Sequence, residues 1–191
     1  MIRRVVVATN EAGKSVIVSD GTPPVHREYI HTPGFADALV WRTDATPHAS
    51  IESAQHPLAD YVPGVGETIA LAITFPPGSV YADAEFDPLA ARAEDLATKP
   101  GLAECFEEEN PGMHTTPTID YAVVTDGQLV LELDDGEQVS LQQGDVLVQN
   151  GARHAWRNHS DKPATLFVVL MGAVVQPAQP TLTQARQASS I

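Results

Sequence analysis

The chain has 191 residues, 43% of them hydrophobic, with a formal net charge of -14 and only 11 lysines and arginines. That length supports one domain with a substantial core, and that charge argues against a nucleic-acid backbone or an anionic membrane surface as partner. Cys105 is the one cysteine, which excludes an intrachain disulfide, and the acidic run Glu107-Glu108-Glu109 beside it disfavours a thiolate.

The opening MIRRVVVATN holds too short an apolar run for a signal peptide. The longest apolar stretch, 166–175, has ten residues, whereas a membrane helix needs about 20. The expectation is a cytoplasmic protein.

In chain order, Arg3–Thr9 and Lys14–Val18 form a first hairpin around Asn10-Glu11-Ala12-Gly13. Residues 20–35 carry Pro23, Pro24 and Pro33 and read as loop. Ala36–Arg42 is a strand, 44–65 is broken by Pro47, Pro57 and Pro63, and Gly66–Phe75 is a strong strand closed by Pro76-Pro77-Gly78. One helix is expected: Asp87 caps it, Pro88 suits its first position, and Lys99-Pro100-Gly101 stops it. Strands follow at 118–125, 128–134, 137–141, 145–149, 153–159 and 164–170. The tail from Gln176 lacks a core pattern and is expected to be loose or draped over a neighbour.

The chemistry concentrates between Pro111 and Asn158. His114, Thr116, Thr118 and Asp120 recur at a spacing of two, which places all four on one face of a strand. His154, Trp156 and Asn158 do the same. Between the clusters lie Asp126-Gly127 and Asp135-Gly136, both strong hairpin cues, because a type I′ turn needs positive φ at both central positions. A meander of hairpins is therefore expected to bring the two clusters face to face.

These residues resemble the two motifs of the cupin superfamily. The first motif places His-x-His, a short gap, a glutamate, six residues and a glycine; here stand His114-x-Thr116, then Asp120, then Gly127. The second reads Gly…Pro-x-Gly-x-x-His-x-x-x-Asn; here stand Gly144, Gln149 in place of the proline, Gly151, His154 and Asn158. The strings HTTPTIDY and GARHAWRN are similar to a bacterial and fungal subgroup of single-domain cupins. The resemblance implies an all-β fold, a cupin-type double-stranded β-helix (jelly-roll) barrel with an N-terminal strand extension and one short helix. The barrel falls at 66–172, with a helical and acidic insertion at 79–112. Residues 1–65 supply strands and loops packed on it, and 173–191 form a tail.

The resemblance also implies one divalent metal, Fe, Zn, Mn or Ni, held by His114, Asp120 and His154, with positions left for water and substrate. Thr116 stands where the family's second histidine would sit, and is expected to hydrogen-bond a metal-bound water or a substrate oxygen. Trp156 shares the inward parity of His154 and is a candidate pocket wall or simply core. The implied activity is that of a metal-dependent enzyme acting on a small, oxygen-rich organic substrate, by decarboxylation, dehydration, isomerisation or oxygenation. A non-enzymatic small-molecule-binding barrel, or one that has lost its metal, stays open beside it. A homodimer is expected; nucleic-acid and membrane partners are not.

The remaining polar residues carry blander expectations. His26, His31, His48 and His56 read as loop histidines, and His159 as exposed. Asn158 ties down a strand end, Tyr121 packs outside the barrel, and Arg153 and Arg157 face away from His154. Glu107-Glu108-Glu109 is a solvated face or part of a lid over the barrel mouth. No nucleophile elbow, phosphate loop or dinucleotide fingerprint is present.

Overall fold

The computed structural model describes residues 2–49 and 60–175. His56 and the tail from Gln176 lie outside them. Among the described residues, eleven strands and one α-helix follow in order. The first strands are β1 (Arg4–Thr9), β2 (Ser15–Gly21), β3 (His26–Glu28), β4 (Ala36–Thr43) and β5 (Thr68–Phe75). Helix α1 (Pro88–Thr98) comes next. Then come β6 (Thr118–Asp126), β7 (Gln128–Glu132), β8 (Gln138–Gln142), β9 (Val146–Asn150), β10 (Ala155–Arg157) and β11 (Ala164–Gly172).

The strands make a jelly roll. A six-stranded sheet runs β3-β4-β5-β11-β6-β9, a three-stranded sheet runs β10-β7-β8, and β1-β2 stands apart as a hairpin. The two larger sheets share one core. Leu39, Leu71, Val124 and Leu166 come from the first, Leu129 and Leu141 from the second, and all six are buried. Each contributes roughly 1.5–3 kcal/mol by leaving water. β11 shows the period most plainly, since every second residue from Ala164 to Gly172 is buried.

The expected elements appear within two or three residues of their expected ends, with two differences. The loop-like 20–35 stretch contains β3, an edge strand paired to β4; three residues are too few to show a period in the sequence. β3 and β4 also belong to the same sheet as β5, so the stretch before residue 66 supplies strands of the main sheet as well as loops around it.

The second difference concerns Asp126-Gly127. The meander expectation makes it a hairpin turn between β6 and β7, but β6 pairs with β9 and β11, whereas β7 pairs with β8 and β10. It is the corner at which the chain passes from one sheet to the other. Gly127 has φ 73° and the preceding Asp126 is not left-handed, so the two positive φ values of a type I′ turn are missing. Asp135-Gly136 does have both, at 57° and 75°, and joins β7 to β8.

Helix α1 begins as its sequence dictates, with the Asp87 carboxylate accepting from Leu89 N and Ala90 N at 3.0 and 3.1 Å. Ala91 is its one buried residue, so polar contacts hold it to the sheets. Glu94 accepts the backbone N–H groups of Ile30 and His31 at 2.9 and 2.8 Å, and Arg27 donates to Thr98 O at 2.8 Å. Lys99, at the C-terminal end, lies 4.3 Å from the ring centres of both Tyr29 and Phe35.

A Cβ at residue 127 would meet Pro163 O and the Cα and Cβ of Ala164 at 3.0 Å, on a backbone that already disfavours a side chain. Gly127→Ala should therefore cost about 1–3 kcal/mol, read as a lower urea midpoint with an unchanged m-value.

Candidate active site

His114 and His154 lie directly opposite one another. His114 N donates to His154 O and His154 N to His114 O, each at 2.9 Å, an isolated antiparallel bridge outside the named strands. Residues paired in this way project their side chains to the same side. The two imidazole centres are 4.3 Å apart at an interplanar angle of 46°. The first cluster therefore does come opposite the second, though through this bridge and not through a hairpin at 126–127.

Each ring is anchored through Nδ1. In His114 it lies 3.0 Å from Gly112 O, and Phe106 meets the ring edge-on at 4.9 Å. In His154 it lies 3.0 Å from Ala152 O and 2.9 Å from Gln149 Nε2. Neither Nε2 has a hydrogen-bond partner among the described residues.

Burial pushes the His154 proton affinity down to about 4, with the neighbouring charge of His114 acting in the same direction against the Ala152 carbonyl. His114 is also lowered, first by burial, while the Gly112 carbonyl and Glu107 oppose the shift. Both rings are neutral at pH 7.

Asp120 sits on the inward face of β6, opposite Gln149 of β9 and Leu170 of β11. It is 6% exposed, and its Oδ1 is buried without a hydrogen-bond partner. Burial raises its pKa to about 6, against the hydrogen bond from Thr118. Thr116, also buried, shares its hydroxyl with Thr118 Oγ1 at 2.8 Å. Thr116, Thr118 and Asp120 thus form a polar ladder along one face, as their spacing requires.

The carboxylate does not join the imidazoles. Among the described residues no group of three or more His, Cys, Asp or Glu is close enough to hold a metal ion. The structure brings His114 and His154 together and leaves Asp120 outside that pair, with Gln149 between Asp120 and His154. As arranged, this donor set does not fit a three-ligand metal centre. Within this donor set, the orphaned Asp120 Oδ1 is what asks for a cation or a proton.

Trp156 is half-buried, 6.3 Å from the His154 ring and 6.3 Å from Phe75, and packs against the core. Phe75 continues to Phe35 at 5.5 Å and Phe35 to Tyr29 at 5.0 Å. A wall of rings therefore runs from the imidazoles to Lys99. Sequence spacing gave no sign of Phe35 or Lys99 in this wall, because loops and the insertion bring them in. Gln149 was legible as inward-facing, since its parity on β9 matches that of Leu147.

The flanking residues take structural parts. Asn158 donates to Phe75 O and Lys162 O and accepts from Ser160, tying down the strand end. Tyr121 is 51% exposed on the outer face. Arg153 holds Glu107 through two hydrogen bonds at 2.6 Å and also reaches Asp134, and the Arg153 bond pushes the Glu107 carboxyl down to about 2. Arg157 pairs with Glu132 and donates to Pro111 O. The acidic run is therefore in part a clasp that fastens the insertion beside His154.

Residues 106–170, which contain both histidines and Asp120, match the cupin domain family. This stretch, about a third of the chain, carries its similarity to the cupin superfamily. Phomopsin biosynthesis cluster protein C' of Diaporthe leptostromiformis is 56% identical over 48 residues, 25% of this chain and 25% of that protein. The cupin-domain-containing oxidoreductase virC of Hypocrea virens is 44% identical over 46 residues, 24% of each. The chain thus matches about a quarter of the length of these curated relatives. The Schizosaccharomyces pombe Cnp3 cupin domain is similar over 98% of this chain and 95% of that one, with 10% identity and a TM-score of 0.43. No helix among the described residues is long and apolar enough to cross a membrane.

The raised pKa of Asp120 has a definite sign. Folded Asp120 keeps its proton up to about pH 6, whereas an unfolded aspartate loses it near pH 3.9. The folded state then binds more protons, and Asp120 costs stability as pH rises through that window, by about 3 kcal/mol in metal-free protein. Asp120→Asn should remove this cost. Its stability relative to wild type, from urea unfolding, should rise by about that amount between pH 3.5 and pH 7.

Proposed function

We propose that this cupin is an enzyme acting on a small, oxygen-bearing organic molecule, with His114 and His154 as its reaction centre. The observation that carries this reading is the facing pair of neutral imidazoles, whose free Nε2 atoms stand beside a wall of aromatic rings. Neutral imidazoles accept or donate hydrogen bonds at pH 7. The rings of Trp156 and Phe75 offer an apolar surface for the substrate body.

A metal-dependent form is the second reading, and the orphaned Asp120 Oδ1 is what favours it. A divalent ion would supply Lewis-acid or redox chemistry when bound. It would need the Asp120 carboxylate to come over to the imidazoles, past Gln149. Without an ion, the imidazole pair orients substrate oxygens directly. A non-enzymatic binding barrel would use the same pair of imidazoles to hold a ligand without turnover.

Two measurements separate these readings. Elemental mass spectrometry on protein purified without a metal-affinity tag should be run beside His114→Ala and Asp120→Asn. Near-stoichiometric metal lost in both variants supports the metal-dependent form, and metal-free wild type after reconstitution contradicts it. Turnover is read by incubating wild type with a metabolite extract and following depletion by mass spectrometry. His114→Ala and His154→Ala should each lower the rate by roughly 10²–10⁴-fold while staying folded. Undiminished turnover in the double variant contradicts the reaction centre. Ligand-dependent thermal stabilisation without any product favours the binding barrel.

A further inference from the structure

Gln149 is 5% exposed and stands where the resemblance led us to expect a proline. It faces inward near the end of β9, and Asn150 and the left-handed Gly151 (φ 65°) then turn the chain back toward His154. Its side-chain nitrogen meets two partners, Ala152 O at 2.5 Å and His154 Nδ1 at 2.9 Å.

The first partner settles which end of the carboxamide points this way. A carbonyl oxygen only accepts, so it must face the NH₂ group; a flipped amide would set Oε1 against Ala152 O, acceptor against acceptor. The same NH₂ group then faces His154 Nδ1. An amide nitrogen only donates, so Nδ1 accepts, and in a neutral imidazole the proton must then sit on Nε2. Ala152 O, though 3.0 Å from Nδ1, already has its donor in Gln149. At His114 the situation is reversed. Its Nδ1 has Gly112 O as partner, at 3.0 Å, so Nδ1 carries the proton and Nε2 is a bare lone pair.

We propose that Gln149 is a positioning residue that fixes His154 in the tautomer protonated at Nε2, which makes the two imidazoles of the site inequivalent. His154 presents an N–H donor and His114 an acceptor. The ligand that satisfies both carries a carbonyl or carboxylate oxygen for His154 and a hydroxyl for His114, as a hydroxy acid or hydroxy ketone does. This ligand class rests on the proposed reaction centre; the tautomers do not. The same arrangement explains why the donor set does not fit a metal. A protonated Nε2 cannot ligate, and an ion could enter only after that proton moves to Nδ1 and Gln149 turns away.

The test is long-range ¹H–¹⁵N correlation NMR of the imidazoles in metal-free protein at pH 7.5, with His114→Gln and His154→Gln used for assignment. In wild type His114 should show the pattern of an Nδ1–H ring and His154 that of an Nε2–H ring. Gln149→Met, which keeps the side-chain length and removes the amide, should switch His154 to Nδ1–H, bonded to Ala152 O, and leave His114 unchanged. Gln149→Glu should also give Nδ1–H, because a carboxylate only accepts. An Nδ1–H ring at His154 in wild type overturns the proposal on its own, even if neither variant folds. So does an Nε2–H ring that persists in Gln149→Met. Neither readout needs a substrate or a bound ion, so failure here leaves the turnover experiment to judge the reaction centre separately.

Discussion

Two backbone hydrogen bonds, exchanged between His114 and His154, hold the centre of this protein together. They are not part of either large sheet; they fasten the segment before β6 to the segment before β10. Because the two residues are directly opposed, their rings must share one side and stand within contact distance. Poor solvation of a charge then makes each imidazole a weaker base, and the charge of His114 lowers His154 further. Geometry, neutrality and ring orientation thus follow from one local pairing, which β6, β7 and β10 position and the shared core stabilises.

The insertion between β5 and β6 serves the same centre. Helix α1 buries Ala91 alone, so its place is set by polar contacts from Glu94, Arg27 and Lys99 and by the Glu107–Arg153 pair. Exposed or half-exposed ion pairs contribute little each, and segments held in this way open at lower free energy than core strands. Phe106 closes the insertion by packing edge-on against His114. The residues that bound the site on one side therefore come from an insertion whose helix is lightly packed.

Much of this was legible in the sequence, for identifiable reasons. A period of two put His114, Thr116, Thr118 and Asp120 on one face, and the structure keeps Thr116, Thr118 and Asp120 as a buried ladder. Asp87-Pro88 named the start of α1, and Asp135-Gly136 named a true hairpin. Asp126-Gly127 misled because glycine there serves a close approach to Ala164 and not a type I′ turn; the dipeptide is the same for both uses. A shared face also did not mean a shared site. Distance along β6 and the intervening Gln149 separate Asp120 from the imidazoles, and residue spacing carries no information about what fills the gap. Lys99, Phe35 and Tyr29 meet through loops, which leave no period to detect.

His114 and His154, the second of them buried, form one electrostatically coupled pair, and an NMR pH titration of the two rings is the direct test. His154 should be half-protonated near pH 4, His114 should titrate below its ordinary value as well, and His114→Ala should raise the His154 midpoint. Midpoints at the ordinary histidine value of about 6.5, with His154 indifferent to the loss of His114, would show two separate solvated rings and contradict the account.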